Sequence, residues 1–153
     1  ATADVRCTTF STCGTGVNAQ LWYQHRFNQR FSFGGTIFGG QTSLYGGGVQ
    51  ARLHWVETDR FRFGTDFEAG FLWTAVGVPL SFRLVDDLWV YTNPSVGYRV
   101  VQPARLPLGV AWGITDNFWL QAEASYGLDV LSGTLSPRTT GFWTGSLAAS
   151  TRF

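Results

Sequence analysis

The two histidines are the residues best suited to acid–base chemistry, and they lie far apart in the sequence. A Ser–His–acid site needs a histidine within reach of a serine and an acid. His54 is predicted on a strand face that carries other polar side chains, and His25 lies in an N-terminal stretch with no clear pattern. We therefore interpret His54 as a member of a hydrogen-bond network and predict no histidine-based active site.

A pair of carboxylates could also act as acid and base. Asp66 and Glu68 lie two residues apart on one face of a predicted strand. Arg52 and Arg83 are predicted on the two flanking strands, and buried charges must be paired. The sequence therefore predicts a salt-bridged cluster here and no enzyme.

Two cysteines, Cys7 and Cys13, are the remaining reactive residues. Their spacing is not C-x-x-C, and no histidine or second cysteine pair completes a zinc set. In an oxidising compartment they could close a small disulfide loop, and a redox role is the alternative. We predict no metal and no cofactor.

The composition is unusual for a water-soluble protein. Of the 153 residues, 16% are aromatic and only 14% are charged, the net charge is +1, and the mean hydropathy is +0.01. A nucleic-acid partner would require a basic cluster, and the longest basic feature, His25 with Arg26 and Arg30, is weak, so we predict none. The longest apolar stretch, residues 69–80, is shorter than the ~20 residues that a membrane-spanning helix needs.

The elements that must position these residues show a period of two, which is typical of half-exposed β-strands. In 61–73 phenylalanines occupy one face, and Arg62, Asp66 and Glu68 occupy the other. This pattern predicts an all-β chain of eight antiparallel strands. The strands are predicted at 28–39, 45–56, 61–73, 77–85, 89–100, 106–115, 119–129 and 142–153.

The connections between these strands differ at the two ends of the predicted sheet. Residues 57–60, 86–87 and 115–117 are short polar turns that suit Asp and Asn. The other end has longer segments near 40–43, 74–76, 101–105 and 130–140. Short turns at one end and longer loops at the other are typical of outer-membrane barrels, in which the turns and termini are periplasmic.

Alternation alone does not distinguish a soluble barrel from a membrane barrel, but the side chains on each face do. The polar face is sparse and charge-balanced, as a lumen would be. Its predicted charge network is Arg52, His54, Asp66, Glu68, Arg83, Arg99 and Glu123. The apolar face carries large aromatic residues near strand ends, which favour membrane interfaces: Trp55, Phe61, Trp73, Tyr98, Trp112, Trp119, Tyr126 and Trp143.

The alternating strands, the turns at 86–87 and 116–117 and the terminal Phe153 resemble the small eight-stranded outer-membrane β-barrels of the OmpX/OmpA transmembrane-domain type. The resemblance covers residues 28–153. It implies an up-and-down transmembrane barrel in a bacterial outer membrane, with Phe153 in the signal read by the barrel-assembly machinery. Ala148 and Thr151 depart from the family's usual glycine and hydrophobic residue in that last strand. Residues 1–27 are left as an N-terminal periplasmic segment.

Three functions remain open from the sequence. The first is a non-enzymatic barrel with a charge-plugged lumen, a structural or anchoring protein or an accessory subunit of an envelope complex with lipid and protein partners. The second is a narrow pore, since lumen glycines such as Gly64 and Gly109 leave room. The third is a soluble barrel that binds a small hydrophobic ligand.

Overall fold

The computed structural model describes residues 2–11, 15–40, 45–70, 73–99, 104–130 and 139–152. These residues form twelve strand segments, and all of their pairings are antiparallel. The segments are β1 (Thr2–Ser11), β2 (Thr15–Arg26), β3 (Phe31–Gly40), β4 (Gly46–Glu57), β5 (Phe61–Gly70), β6 (Trp73–Gly77), β7 (Leu80–Val85), β8 (Leu88–Thr92), β9 (Ser95–Arg99), β10 (Ala104–Thr115), β11 (Phe118–Val130) and β12 (Thr139–Arg152). In this part of the chain, no helix is long and apolar enough to cross a membrane.

The sheet closes on itself as a barrel because β1 pairs with β12. Two positions in the ring are each occupied by two segments. β6 and β7 both pair with β5, and β8 and β9 both pair with β10. The twelve segments therefore fill ten positions around the barrel.

Proline interrupts the two divided positions. Pro79 separates β6 from β7, and Pro94 separates β8 from β9. Proline has no N–H to donate to a sheet, yet both prolines still accept, from the N–H groups of Gly64 at 3.0 Å and Val78 at 2.9 Å. The wall thus stays joined across both breaks. Residues 74–76, predicted as a connection, lie within β6.

The confirmed fold class is an antiparallel membrane-type barrel, but the prediction of eight strands is wrong. The two additional barrel positions come from β1 and β2, in the segment that we expected to be periplasmic. β1 pairs with β12, and β2 pairs with β3. The sequence of β1 is rich in threonine, and Trp22 in β2 lies on the lumen face, so neither strand shows a clear period of two.

The two faces of the wall are inverted relative to a soluble protein. Side chains that lie buried inside the barrel are mainly polar: Gln24, Ser32, Thr36, Gln50, Asp66, Ser95, Glu123, Ser125 and Ser150. Side chains exposed on the outside are mainly apolar, and they include Leu21, Ile37, Val49, Phe67, Val76, Val96, Leu108, Val110, Leu120 and Leu147. An apolar exterior around a polar interior is the arrangement of membrane β-barrels.

Short turns join the strands at one end, called here the turn end, and the opposite end is called the loop end. All three turns expected from the sequence are present. A fourth turn is built on Asn28, whose Oδ1 accepts hydrogen bonds from the N–H groups of Arg30 at 2.8 Å and Phe31 at 2.9 Å. Such side-chain bonds to nearby N–H groups stabilise tight turns.

Candidate functional site: the charged barrel lumen

Asp66 is the centre of the most extensive polar cluster in the described lumen, called here the Asp66 cluster. Arg52 lies opposite Asp66 in the β4–β5 register and donates from Nε and Nη2 to the two carboxylate oxygens, at 2.5 and 2.8 Å. Gln50 Nε2 and Asn93 Nδ2 also donate to Oδ2, at 3.0 and 2.9 Å. Gln50 further lies 3.5 Å from Glu68 Oε1. Asp66 therefore receives four hydrogen bonds, which compensate for its loss of water.

A second group of polar residues, the Glu123 cluster, lies on β10, β11 and β12. Arg105 Nη2 donates to Glu123 Oε1, and Arg105 Nε donates to Ser125 Oγ at 3.1 Å. The hydroxyl oxygens of Ser125 and Thr144 lie 3.0 Å apart. Three neighbouring strands are thus joined through one guanidinium group and two hydroxyl groups.

The two ion pairs share one asymmetry of exposure. The side chain of Arg52 is 25% exposed and that of Asp66 is 0% exposed. The side chain of Arg105 is 26% exposed and that of Glu123 is 4% exposed. In each pair the carboxylate side chain is buried, whereas about a quarter of the arginine side chain is exposed. The charge that a solute would contact at these pairs is therefore positive.

Aromatic rings in the lumen lie against glycines of adjacent strands. A Cβ atom added at any of these glycines would crowd or overlap the ring beside it. The pairs are Phe38 on Gly46, Trp73 on Gly70, Tyr91 on Gly109 and Trp119 on Gly113. Since glycine has no side chain, a ring can lie close to the wall there and occupy less of the lumen.

The turn end of the lumen contains a separate charged group. Arg26 forms an ion pair with Glu57, and Arg62 lies 3.6 Å from the same carboxylate. The Arg62 guanidinium carbon also lies 4.2 Å from the centre of the Trp89 ring, within cation–π range. Glu57, Arg62 and Trp89 line a cavity of about 370 Å³ at the turn end, together with Arg83, Trp119 and acidic turn residues.

Comparisons with known proteins point to the fold. No family model matches the chain, and no curated protein matches it. Among solved structures, the KdgM porin superposes with a TM-score of 0.62 at 14% identity, covering 100% of this chain and 99% of that one. The NanC porin gives 0.61 at 11% identity, covering 99% and 100%.

A second KdgM structure, described as a complex with disordered oligogalacturonate, gives a TM-score of 0.61 at 14% identity and covers 100% of this chain. The toluene transporter TodX of P. putida gives 0.55 at 9% identity, and the match covers 95% of this chain but only 52% of that one. The chain folds as an outer-membrane β-barrel. The apolar exterior and this fold together confirm the expected outer-membrane location.

The barrel brings together only part of the predicted charge network. Arg52, Asp66 and Glu68 meet in the Asp66 cluster. His54 Nε2 instead lies 2.8 Å from Ser32 Oγ. Arg83 donates at 2.9 Å to the backbone oxygen of Asp86 at the turn end, so the expectation that it flanks Asp66 and Glu68 is wrong. Arg83 lies in β7, which follows the break at Pro79 and is nearer the turn end than β6. The break therefore places Arg83 at the turn end.

Other predicted residues fall partly or wholly outside the described side chains. Arg99 has Trp73 as its register partner, and nothing further is described for its side chain. Cys7 pairs in register with Ala19 and Leu147, while Cys13 lies outside the described residues, so the Cys7–Cys13 disulfide stays a prediction. Phe153 also lies outside the described residues.

Two of the predicted exterior aromatics, Trp73 and Trp119, lie on the lumen face of the barrel. Trp119 pairs in register with Gly113 and with the buried Ser150. Trp73 pairs with Gly70, which shares a face with Asp66. In contrast, Trp55, Tyr98, Trp112, Tyr126 and Trp143 are exposed on the outside.

Five residues of the two clusters are not singled out by the sequence: Gln50, Asn93, Arg105, Ser125 and Thr144. Arg105 was expected in a loop, whereas Asn93 lies within the predicted strand 89–100 but carries no charge that would mark it as part of the network. Gln50 was not singled out, although its alternation with Arg52 places both on one face of β4. Among the described residues, no group of three or more His, Cys, Asp or Glu side chains could hold a metal ion.

Proposed function

We propose that this barrel is a non-enzymatic, narrow pore that favours small anions. The observation that carries the proposal is the exposure of Arg52 and Arg105 inside the barrel, next to buried carboxylates. Arginine and lysine side chains that line a pore favour anions. The low-dielectric wall around a charged lumen strengthens this effect.

Two further observations support a pore. Ten positions around the ring enclose a wider lumen than eight would, because barrel diameter grows with strand number. The similar KdgM structure is described as a complex with oligogalacturonate, which carries carboxylates. By analogy of fold alone, we infer that an anion is the solute class to test here.

The proposal is tested by conductance in planar bilayers with a salt gradient across the membrane. We expect a reversal potential of the sign that marks anion preference. The double variant Arg105→Gln/Glu123→Gln removes both charges of one pair without leaving a buried carboxylate alone. It should move the reversal potential towards zero, while Trp112→Phe on the lipid-facing side should leave it unchanged. Cation preference in the unmodified barrel would overturn the proposal.

A closed barrel that anchors or assists an envelope complex is the second candidate. The observation that favours it is the complete hydrogen bonding of Asp66, which holds three side chains in fixed positions across the lumen. Folded barrels that conduct no ions would support this candidate. Purification from native membranes in a mild detergent would then identify its protein partners.

A further inference from the structure

A shallow groove runs along the outside of the barrel at the loop end of β2, β3 and β4. Its volume is about 290 Å³, and its lining includes Ala19, Leu21, Ile37, Gly39 and Tyr45. We refer to it as the lateral groove. It opens on the same exterior surface that the apolar residues of the barrel present to the membrane.

The shape of the lateral groove follows from the register of these strands. Ala19 pairs with Gly39, so two of the smallest residues lie side by side and form the floor. Leu21 pairs with Ile37 and forms one wall. Tyr45 forms the other wall, with its ring so close to Gly39 that a Cβ there would overlap it.

We propose that the lateral groove binds one acyl chain of a membrane lipid in the leaflet at the loop end. The groove continues the lipid-facing surface, so hydrocarbon surrounds it, and a void in a bilayer forfeits dispersion contacts. The lining that the groove exposes is almost entirely apolar, which suits a hydrocarbon chain. A folded second copy would have to cover much more of the wall than this groove, because stable interfaces bury upwards of about 1,000 Å², and the test below distinguishes it from a lipid.

The test uses the full chain reconstituted in nanodiscs of dimyristoylphosphatidylglycerol and then transferred to a mild detergent. Native mass spectrometry counts the lipid molecules that each barrel retains. We expect the unmodified barrel to retain one lipid. Ala19→Phe fills the floor of the groove and should reduce the retained fraction about tenfold, and Tyr45→Ala removes one wall and should also reduce it.

Ala122→Phe is the matched control, because Ala122 is also exposed on the outside but lies on β11, away from the groove. It should retain as much lipid as the unmodified barrel. Equal retention by Ala19→Phe, or no lipid in the unmodified barrel, would overturn the proposal. A dimer that Ala19→Phe abolishes would also overturn it, since the occupant would then be a second copy. Neither result depends on whether the lumen conducts ions.

Discussion

The two members of the Arg52–Asp66 pair should differ in how much their loss destabilises the barrel. Arg52→Gln leaves the Asp66 carboxylate fully buried with only Gln50 and Asn93 as donors. Breaking a buried pair in this way costs about 3–5 kcal/mol. Asp66→Asn instead leaves an Arg52 side chain that is 25% exposed and so keeps contact with water. The loss of unfolding free energy in Asp66→Asn should therefore be nearer the cost of leaving neutral polar groups unsatisfied, about 1–3 kcal/mol.

The comparison is made by urea unfolding in lipid vesicles, followed by tryptophan fluorescence. The double variant Arg52→Gln/Asp66→Asn should be more stable than Arg52→Gln alone, with a coupling energy of about 0.5–3 kcal/mol. If Asp66→Asn destabilises the barrel as much as Arg52→Gln, the argument from exposure is refuted. If both variants cost less than about 0.5 kcal/mol, as surface substitutions usually do, the cluster does not stabilise the fold.

Two more predictions concern the wall of the barrel. Gly109→Ala should lower the free energy of unfolding by about 1–3 kcal/mol, because its Cβ would overlap the Tyr91 ring. Gly145→Ala is the control, since no atom lies within 4 Å of the added Cβ, and it should be nearly neutral in the same urea titration. Val110→Arg, on the lipid-facing side, should lower the free energy of unfolding by about 2–4 kcal/mol, as expected for an arginine near the membrane midplane. Tyr98→Arg, near the loop end, should lower it by only about 0–1 kcal/mol. Equal costs in vesicle unfolding would contradict the inferred position of the membrane.

The sequence predicted most of the wall because lipid and lumen impose opposite demands on alternate residues. From β3 onwards, the strands show phenylalanine, leucine or valine opposite serine, glycine or a charged residue. The period fails where a large aromatic faces the lumen. Trp22 and Trp119 resemble lipid-facing residues in type, although each shares the alternation phase of polar neighbours such as Gln24 and Gln121. Trp73 has the phase of the lipid-facing Phe67, and only its register with Gly70 shows that it points inwards.

The candidate site was less predictable for a related reason. Alternation assigns a charged residue to the lumen, but the partner of that residue depends on the pairing register of non-adjacent segments. Asp66 and Arg52 could be matched because their strands form a simple hairpin. Asn93 lies in the predicted strand 89–100, but it reaches Asp66 from two positions around the ring, and alternation says nothing about contacts between strands that are not neighbours. Arg105 was missed because β10 begins earlier than its proline-containing sequence indicates.

The pairing of the first strand with the last has a consequence for the order of assembly. Nine register pairs join β1 to β12, from Thr2–Arg152 to Phe10–Thr144, and these partners are among the most distant in the chain. Contacts of such long sequence separation form slowly. Until β12 arrives, the edges of β1 and β11 would expose unpaired backbone groups, which the hydrocarbon core does not tolerate. Closure of this seam and entry into the membrane should therefore be coupled events, and a chain that stops short of β12 should fail to insert at all.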